Sequence, residues 1–175
     1  MKRAISTILT LVLLFCTVLC GSGCEESNLE RYHAIIIADL DALNEDFIYK
    51  RENMIDCVYK NRDYDPNDPL SEKYIYDSTC PASRLIFVTE QMLNDEVFGK
   101  IPKVDLETQT VAIVLFSIYG NYSYGLKNIE INDDVLRITI MAKHWGMLTE
   151  PVLVGVVIQF DKLEFSDSEL LFSKN

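Results

Sequence analysis

From Val111 to Phe116 six apolar residues follow one another without a break. The segment Gln109–Ser117 around them is apolar on both faces, and a strand of that kind belongs inside a sheet rather than at its edge. Its neighbours supply more of the sheet. Arg84–Thr89 reads as a strand. Tyr122–Ile131 and Val135–Met141 read as a hairpin with Asn132-Asp133-Asp134 as its turn. Ile129 and Ile131 fall on one face of the first strand. Leu136, Ile138 and Ile140 fall on one face of the second, with Arg137 and Thr139 turned out. Val152–Phe160 is a final apolar strand whose continuous hydrophobicity also places it inside the sheet.

Helical signals are confined to two stretches. Ser27-Asn28-Leu29-Glu30 is a capping-box pattern. Behind it Leu29, His33, Ile36, Leu40, Leu43 and Phe47 recur at three- or four-residue steps, which predicts a helix of about five turns. The opposing reading is a strand over Ala34–Ala38, because three consecutive isoleucines favour sheet. Residues 47–59 fit either a continued helix or a strand. Glu90–Phe98 reads as a short helix with Met92, Leu93 and Val97 able to face the sheet, ended by Gly99 and Pro102. Between these stretches, 61–83 holds Pro66, Pro69 and Pro81 among many Asp, Asn and Ser residues, with Tyr74-Ile75-Tyr76 as a short edge strand. The expected fold is α+β: a mainly antiparallel sheet with one longer N-terminal helix and a short helix packed on one face.

The first 23 residues stand outside that fold. Lys2 and Arg3 are followed by an apolar run from Ala4 to Cys20, then by Gly21, Ser22, Gly23 and Cys24. A basic start, an apolar stretch too short for a comfortable membrane span and a small-residue exit make a secretory signal. The segment resembles the lipobox of bacterial lipoproteins, in which a peptidase cuts before the cysteine and that cysteine is acylated. The resemblance implies lipidation at Cys24 and a place on the extracytoplasmic face of a cell membrane, anchored through N-terminal acyl chains. An ordinary cleaved signal and an uncleaved anchor are the other two readings. The resulting division is 1–23 signal peptide, 24–60 helical segment, 61–83 irregular connection, 84–165 β-rich core and 166–175 tail.

Charge narrows the partners. The formal net charge is −11, and it becomes −13 once Lys2 and Arg3 leave with the signal. Nucleic acid is excluded as a partner, because phosphate binding needs positive charge. Anionic lipid repels the body of the protein for the same reason, leaving the acyl chains as the membrane contact.

Four groups of side chains are candidates for chemistry. Cys57 and Cys80 remain after Cys16, Cys20 and Cys24 are assigned, and in an exported chain they read either as a disulfide or as two separate thiols. Asp63, Asp65 and Asn67 alternate like the opening of a calcium loop, but Asp68 stands where that loop needs Gly and Tyr74 where it needs Glu. This makes a weak calcium candidate and no other cofactor is expected. His33 lies on the apolar stripe of the predicted helix. His144 lies in Lys143-His144-Trp145-Gly146, read as a loop, and no hydrolase signature accompanies it. Tyr119, Tyr122 and Tyr124 crowd a glycine-flanked loop, and together with Trp145 they form the binding candidate, since tyrosine offers area and a hydroxyl at low entropic cost.

The run Ser83-Arg84-Leu85-Ile86-Phe87-Val88, then Val104-Asp105-Leu106, an apolar strand, and Tyr122-Ser123 before Lys127-Asn128-Ile129 is similar to small bacterial lipoproteins of unassigned function. It is distantly similar to the C-terminal domain of the PrcB accessory subunit of a bacterial surface protease complex. There an apolar strand leads into Gly-Gly-Tyr-Ser, and here Gly120-Asn121-Tyr122-Ser123 stands in that place. The resemblance implies a noncatalytic stabilising or binding module. The expected function is a lipid-anchored extracytoplasmic module that recognises a protein or peptide. A hydrolase using Asp and Glu residues and a small-ligand-binding lipoprotein are the alternatives.

Overall fold

The computed structural model describes residues 27–94, 104–145 and 151–173. Its centre is the pair β5 (Gln109–Tyr119) and β8 (Pro151–Asp161), antiparallel along their whole length from Gln109↔Asp161 to Tyr119↔Pro151. Strand β4 (Ser83–Phe87) adds to β5 and strand β1 (Ile35–Asp39) adds to β8, giving the order β1-β8-β5-β4. A second sheet has the order β6-β7-β9, from β6 (Asn121–Asn132), β7 (Val135–Trp145) and β9 (Asp167–Ser173). Strands β2 (Val58–Lys60) and β3 (Tyr74–Tyr76) form a separate two-stranded ribbon.

The continuous apolar run of β5 is explained by its place. Ala112, Val114, Phe116 and Ile118 face the second sheet, where Ile129, Leu136, Ile138 and Ile140 meet them. Val111, Ile113 and Leu115 point the other way, against Leu43, Phe47, Ile48 and Ile55. Both faces are covered, and every residue from Val111 to Leu115 is at most 1% exposed. The molecule is therefore layered: one sheet, then the central sheet, then a cover of short helices and the β2–β3 ribbon. The hairpin β6–β7 has the expected inward residues, and its turn places Asp133 and Asp134 at φ 52° and 61°, the left-handed pair of a tight two-residue turn.

The long N-terminal helix is not formed. Helix α1 (Asn28–Arg31) has a complete capping box: the Glu30 N–H donates to Ser27 Oγ at 3.3 Å and the Ser27 N–H to Glu30 Oε2 at 3.2 Å. It ends after one turn, where His33 takes φ 46° and the Ala34 N–H donates to the Leu29 carbonyl at 2.8 Å. The three isoleucines then enter β1, paired from Ile35↔Gln159 to Asp39↔Val156. Branched side chains that are costly in a helix gain a sheet partner here, so tertiary pairing overrides the helical spacing. The stripe was partly informative, because Leu43 and Phe47 are both buried. Leu43 follows a 3-10 turn (Leu40–Ala42), and Phe47 lies within helix α2 (Glu45–Ile48), which Asn44 caps through its side chain.

Two further expectations change. The tail at 166–175 contains β9, which lies parallel to β7, so Val152–Phe160 is interior but not last. Leu170 packs on the inter-sheet core, the Phe172 ring lies 5.3 Å from that of Phe116, and Arg137 pairs with Glu169 at 2.8 Å. The helices are not all on one face: α2 and α3 (Glu90–Asn94) cover the central sheet, whereas Leu29 and Tyr32 at α1 pack on the inter-sheet core. The end of the predicted helix at 95–98, with Gly99, Pro102 and Gly146, lies outside the described residues, as do the predicted signal and Cys24.

Gly155 on β8 seats the 3-10 turn. A Cβ there would lie 2.7 Å from Leu40 Cδ1 and 3.2 Å from Leu40 Cα. Gly155→Ala is expected to cost about 1–3 kcal/mol through overpacking against backbone, read as a lower urea midpoint. An unchanged midpoint would mean the turn is not held against the sheet.

Candidate functional site

Gly120, at φ 76°, carries the chain from the central sheet into the second one. Around it Tyr119 is 50% exposed, Tyr122 37% and Trp145 55%. Register decides which of them act together. Tyr122 pairs with His144, Tyr124 with Ala142 and Asn121 with Trp145. Paired residues share a face, so Tyr122, Tyr124 and His144 continue the inward face of Ile138 and Ile140, while Trp145 points outward. The four aromatic candidates are therefore split. Tyr122 and Tyr124 form a unit, with ring centroids 6.3 Å apart at 24°, and Tyr124 meets Phe116 edge-on at 6.3 Å. Tyr119 lines a separate apolar hollow with His144 and Phe172. His144 is the end of a strand, not a loop residue.

A larger cavity among the described residues lies elsewhere, under the 3-10 turn and α2. It encloses about 670 Å³ between Leu43, Ile48 and Leu153 on its apolar side and Tyr49, Tyr59 and Tyr74 on its aromatic side. A volume of that size suits a small ligand or a short peptide segment. Asp41, Glu45 and Lys60 supply its charges. A smaller hollow of about 160 Å³ shares Leu40, Asp41 and Leu153 with it, and adds Asp39, Tyr122 and Tyr124. The two hollows adjoin at these shared residues, where β1 ends at Asp39, and their joint lining is the candidate groove.

Its tyrosines are held firmly. The buried Tyr59 hydroxyl accepts the Ile55 N–H at 2.8 Å, and the Tyr49 hydroxyl donates to the Lys60 carbonyl. Their rings lie 5.6 Å apart, and the Arg62 guanidinium, paired with Asp46, sits 5.4 Å from the Tyr49 ring. Burial pushes the Tyr59 hydroxyl up to about 12. Tyr49 is raised by burial and then by Glu45, with Arg62 opposing. Tyr124 is raised by burial, then by Asp39, Tyr122 and Asp41. Glu45 thus lies near the Tyr49 hydroxyl, and Asp39 and Asp41 near that of Tyr124. Asp39, Asp41 and Glu45 take part in none of the four ion pairs among the described residues. The described lining of the groove combines aliphatic and tyrosine contact area with the carboxylates of Asp39, Asp41 and Glu45 and the ammonium of Lys60.

The remaining candidates are dispersed. His33 is an exposed turn residue whose Nδ1 lies 2.9 Å from Asp161 Oδ2, not part of a helical stripe. Asp65 Oδ1 accepts from the Asn67 N–H and side-chain amide, and the Asp63 N–H donates to Asn61 Oδ1, so that loop's polar groups close its own turns. Among the described residues no three His, Cys, Asp or Glu side chains converge as a metal site. Cys57 and Cys80 are free thiols, and the expected bridge is not formed. Their neighbours do meet, since the Asp56 N–H donates to the Pro81 carbonyl at 3.0 Å. Cys57 is buried, with its Sγ 3.7 Å from the Pro151 carbonyl, while half-buried Cys80 accepts from Arg51 at 3.7 Å.

Sequence reading missed Asp39, Asp41, Glu45, Tyr49, Tyr59 and Tyr74. They come from three separate segments, and only the tyrosines of the Tyr74-Ile75-Tyr76 strand carried a local signal.

The architecture is that of a β-rich, mostly antiparallel α+β protein. No protein-family model matches the chain, and no curated protein or solved structure matches it either.

Proposed function

We propose that this chain is a lipid-anchored binding module on the extracytoplasmic face of a cell membrane, recognising a protein or peptide. The observation that carries the binding half is the groove of tyrosine and aliphatic side chains with carboxylates at its rim. Aromatic anchors in a hollow with charged residues at its rim are the usual makings of a recognition site. The anchoring half rests on the order of Lys2-Arg3, the apolar run and Gly21-Ser22-Gly23-Cys24. One acyl chain binds a membrane marginally and two or three bind it durably.

Metabolic labelling with palmitate tests the anchor. The wild-type chain is expected to take the label and to fractionate with membranes, and Cys24→Ser is expected to lose both properties. A wild-type chain without label would overturn the anchor. Recovering no protein partner from the anchored form in mild detergent would count against the binding module. A second reading, a carboxylate hydrolase, draws on Asp41 and Glu45 lining one cavity.

A further inference from the structure

The charges of the groove are one-sided. Asp39, Asp41 and Glu45 line it against the single ammonium of Lys60, and Arg62 nearby is engaged by Asp46 and the Tyr49 ring. The three carboxylates do not converge closely enough to chelate a metal ion. They are strung along the wall, which suits an extended ligand better than a point charge. The smaller hollow puts Asp39 and Asp41 beside two nearly parallel tyrosine rings. Carboxylates and aromatic faces both attract cations, and a guanidinium or ammonium can use both at once. The larger cavity beyond Asp41 is floored by Leu153 and Ile48 and takes apolar material. A second copy of this chain is a poor occupant, because its net charge of −11 opposes the rim.

We infer that the groove binds an extended peptide segment of a partner protein carrying a lysine or arginine next to an aliphatic residue. The cation enters between Asp39, Asp41 and the Tyr122–Tyr124 pair, and the aliphatic side chain lies over Leu153. This rests on the reading of the chain as a binding module and specifies what it recognises.

Selection of a displayed random heptapeptide library on the full chain in mild detergent tests both statements separately. Enrichment of lysine or arginine beside an aliphatic residue is expected. An enriched peptide should then bind the double variant Asp39→Asn, Asp41→Asn at least about tenfold more weakly, as loss of charge-assisted contacts of this strength implies. Replacing its basic residue by norleucine should weaken it comparably, and Tyr122→Ala should weaken it further. The exposed loop variant Asp63→Asn, Asp65→Asn should bind as the wild type does. Enriched peptides without a basic residue, or binding indifferent to the Asp39 and Asp41 changes, would overturn the cation-binding groove while leaving a binding module. No enrichment at all would overturn both.

Discussion

Phe160→Ala is expected to remove about 3–5 kcal/mol of stability, the range for deleting a fully buried aromatic side chain. Phe160 is 1% exposed and belongs to the core between the two sheets. It sits on β8, the strand that joins β1 to β5, so its cavity opens in the most constrained part of the molecule. Chain atoms there are fixed by ladders on both sides and can collapse little into the space. Proteins of this size hold only about 5–15 kcal/mol in total, so the variant should be near the edge of folding at 37 °C. Urea unfolding measures it: the midpoint should fall while the slope stays unchanged. A loss under about 1 kcal/mol would mean that Phe160 is not part of a close-packed inter-sheet core.

The two cysteines of the folded body should differ by orders of magnitude in reactivity. Burial, aided by Asp56, pushes the Cys57 thiol up to about 12, with a backbone hydrogen bond at Val58 opposing. At pH 8 Cys57 therefore stays overwhelmingly protonated, and the thiolate is the form that alkylates. Its side chain is also out of reach of solvent, whereas Cys80 is half-buried in a surface turn. In a chain lacking 1–23 and carrying Cys24→Ser, native maleimide treatment should add one label, at Cys80. A second should appear only in denaturant. Rapid labelling of Cys57 in the native state would overturn its burial. No label at either position until a reductant is added would mean that a bond joins the pair.

The parts of the fold legible in the sequence are those with unambiguous periodicity. Gln109–Ser117 and Val152–Phe160 were interior strands because apolar residues filled both faces, and the hairpin followed from Leu136, Ile138 and Ile140. Two elements were not legible. Residues 34–38 carry both a helical stripe and three β-branched side chains, and the deciding influence is pairing with β8, which no local window contains. Strand β9 begins Asp167-Ser168-Glu169 and buries little beyond Leu170, so its polarity hid it. The binding candidates suffered in the same way. Tyr122 and Tyr124 act together as their spacing implied, but the register of β6 with β7 turns Trp145 to the opposite face. The groove itself joins residues from 39–49, 58–60, 74, 122–124 and 151–155, and only tertiary contact reveals it.

The pairing of β1 with β8 also dictates an order of events in folding. Ile35 must find Gln159, roughly 120 residues further on, and closing a loop of that length is entropically expensive at the start. Local ladders such as β6–β7 and β4–β5 have far shorter closures to make, so they form first and β1 zips on last. A chain threaded through a membrane from its N-terminus would emerge with Ile35-Ile36-Ile37 early and wait for its partner strand until almost everything else had crossed. During that interval three adjacent isoleucines are an open edge, and such an unpaired edge is where aggregation of an exported chain would begin.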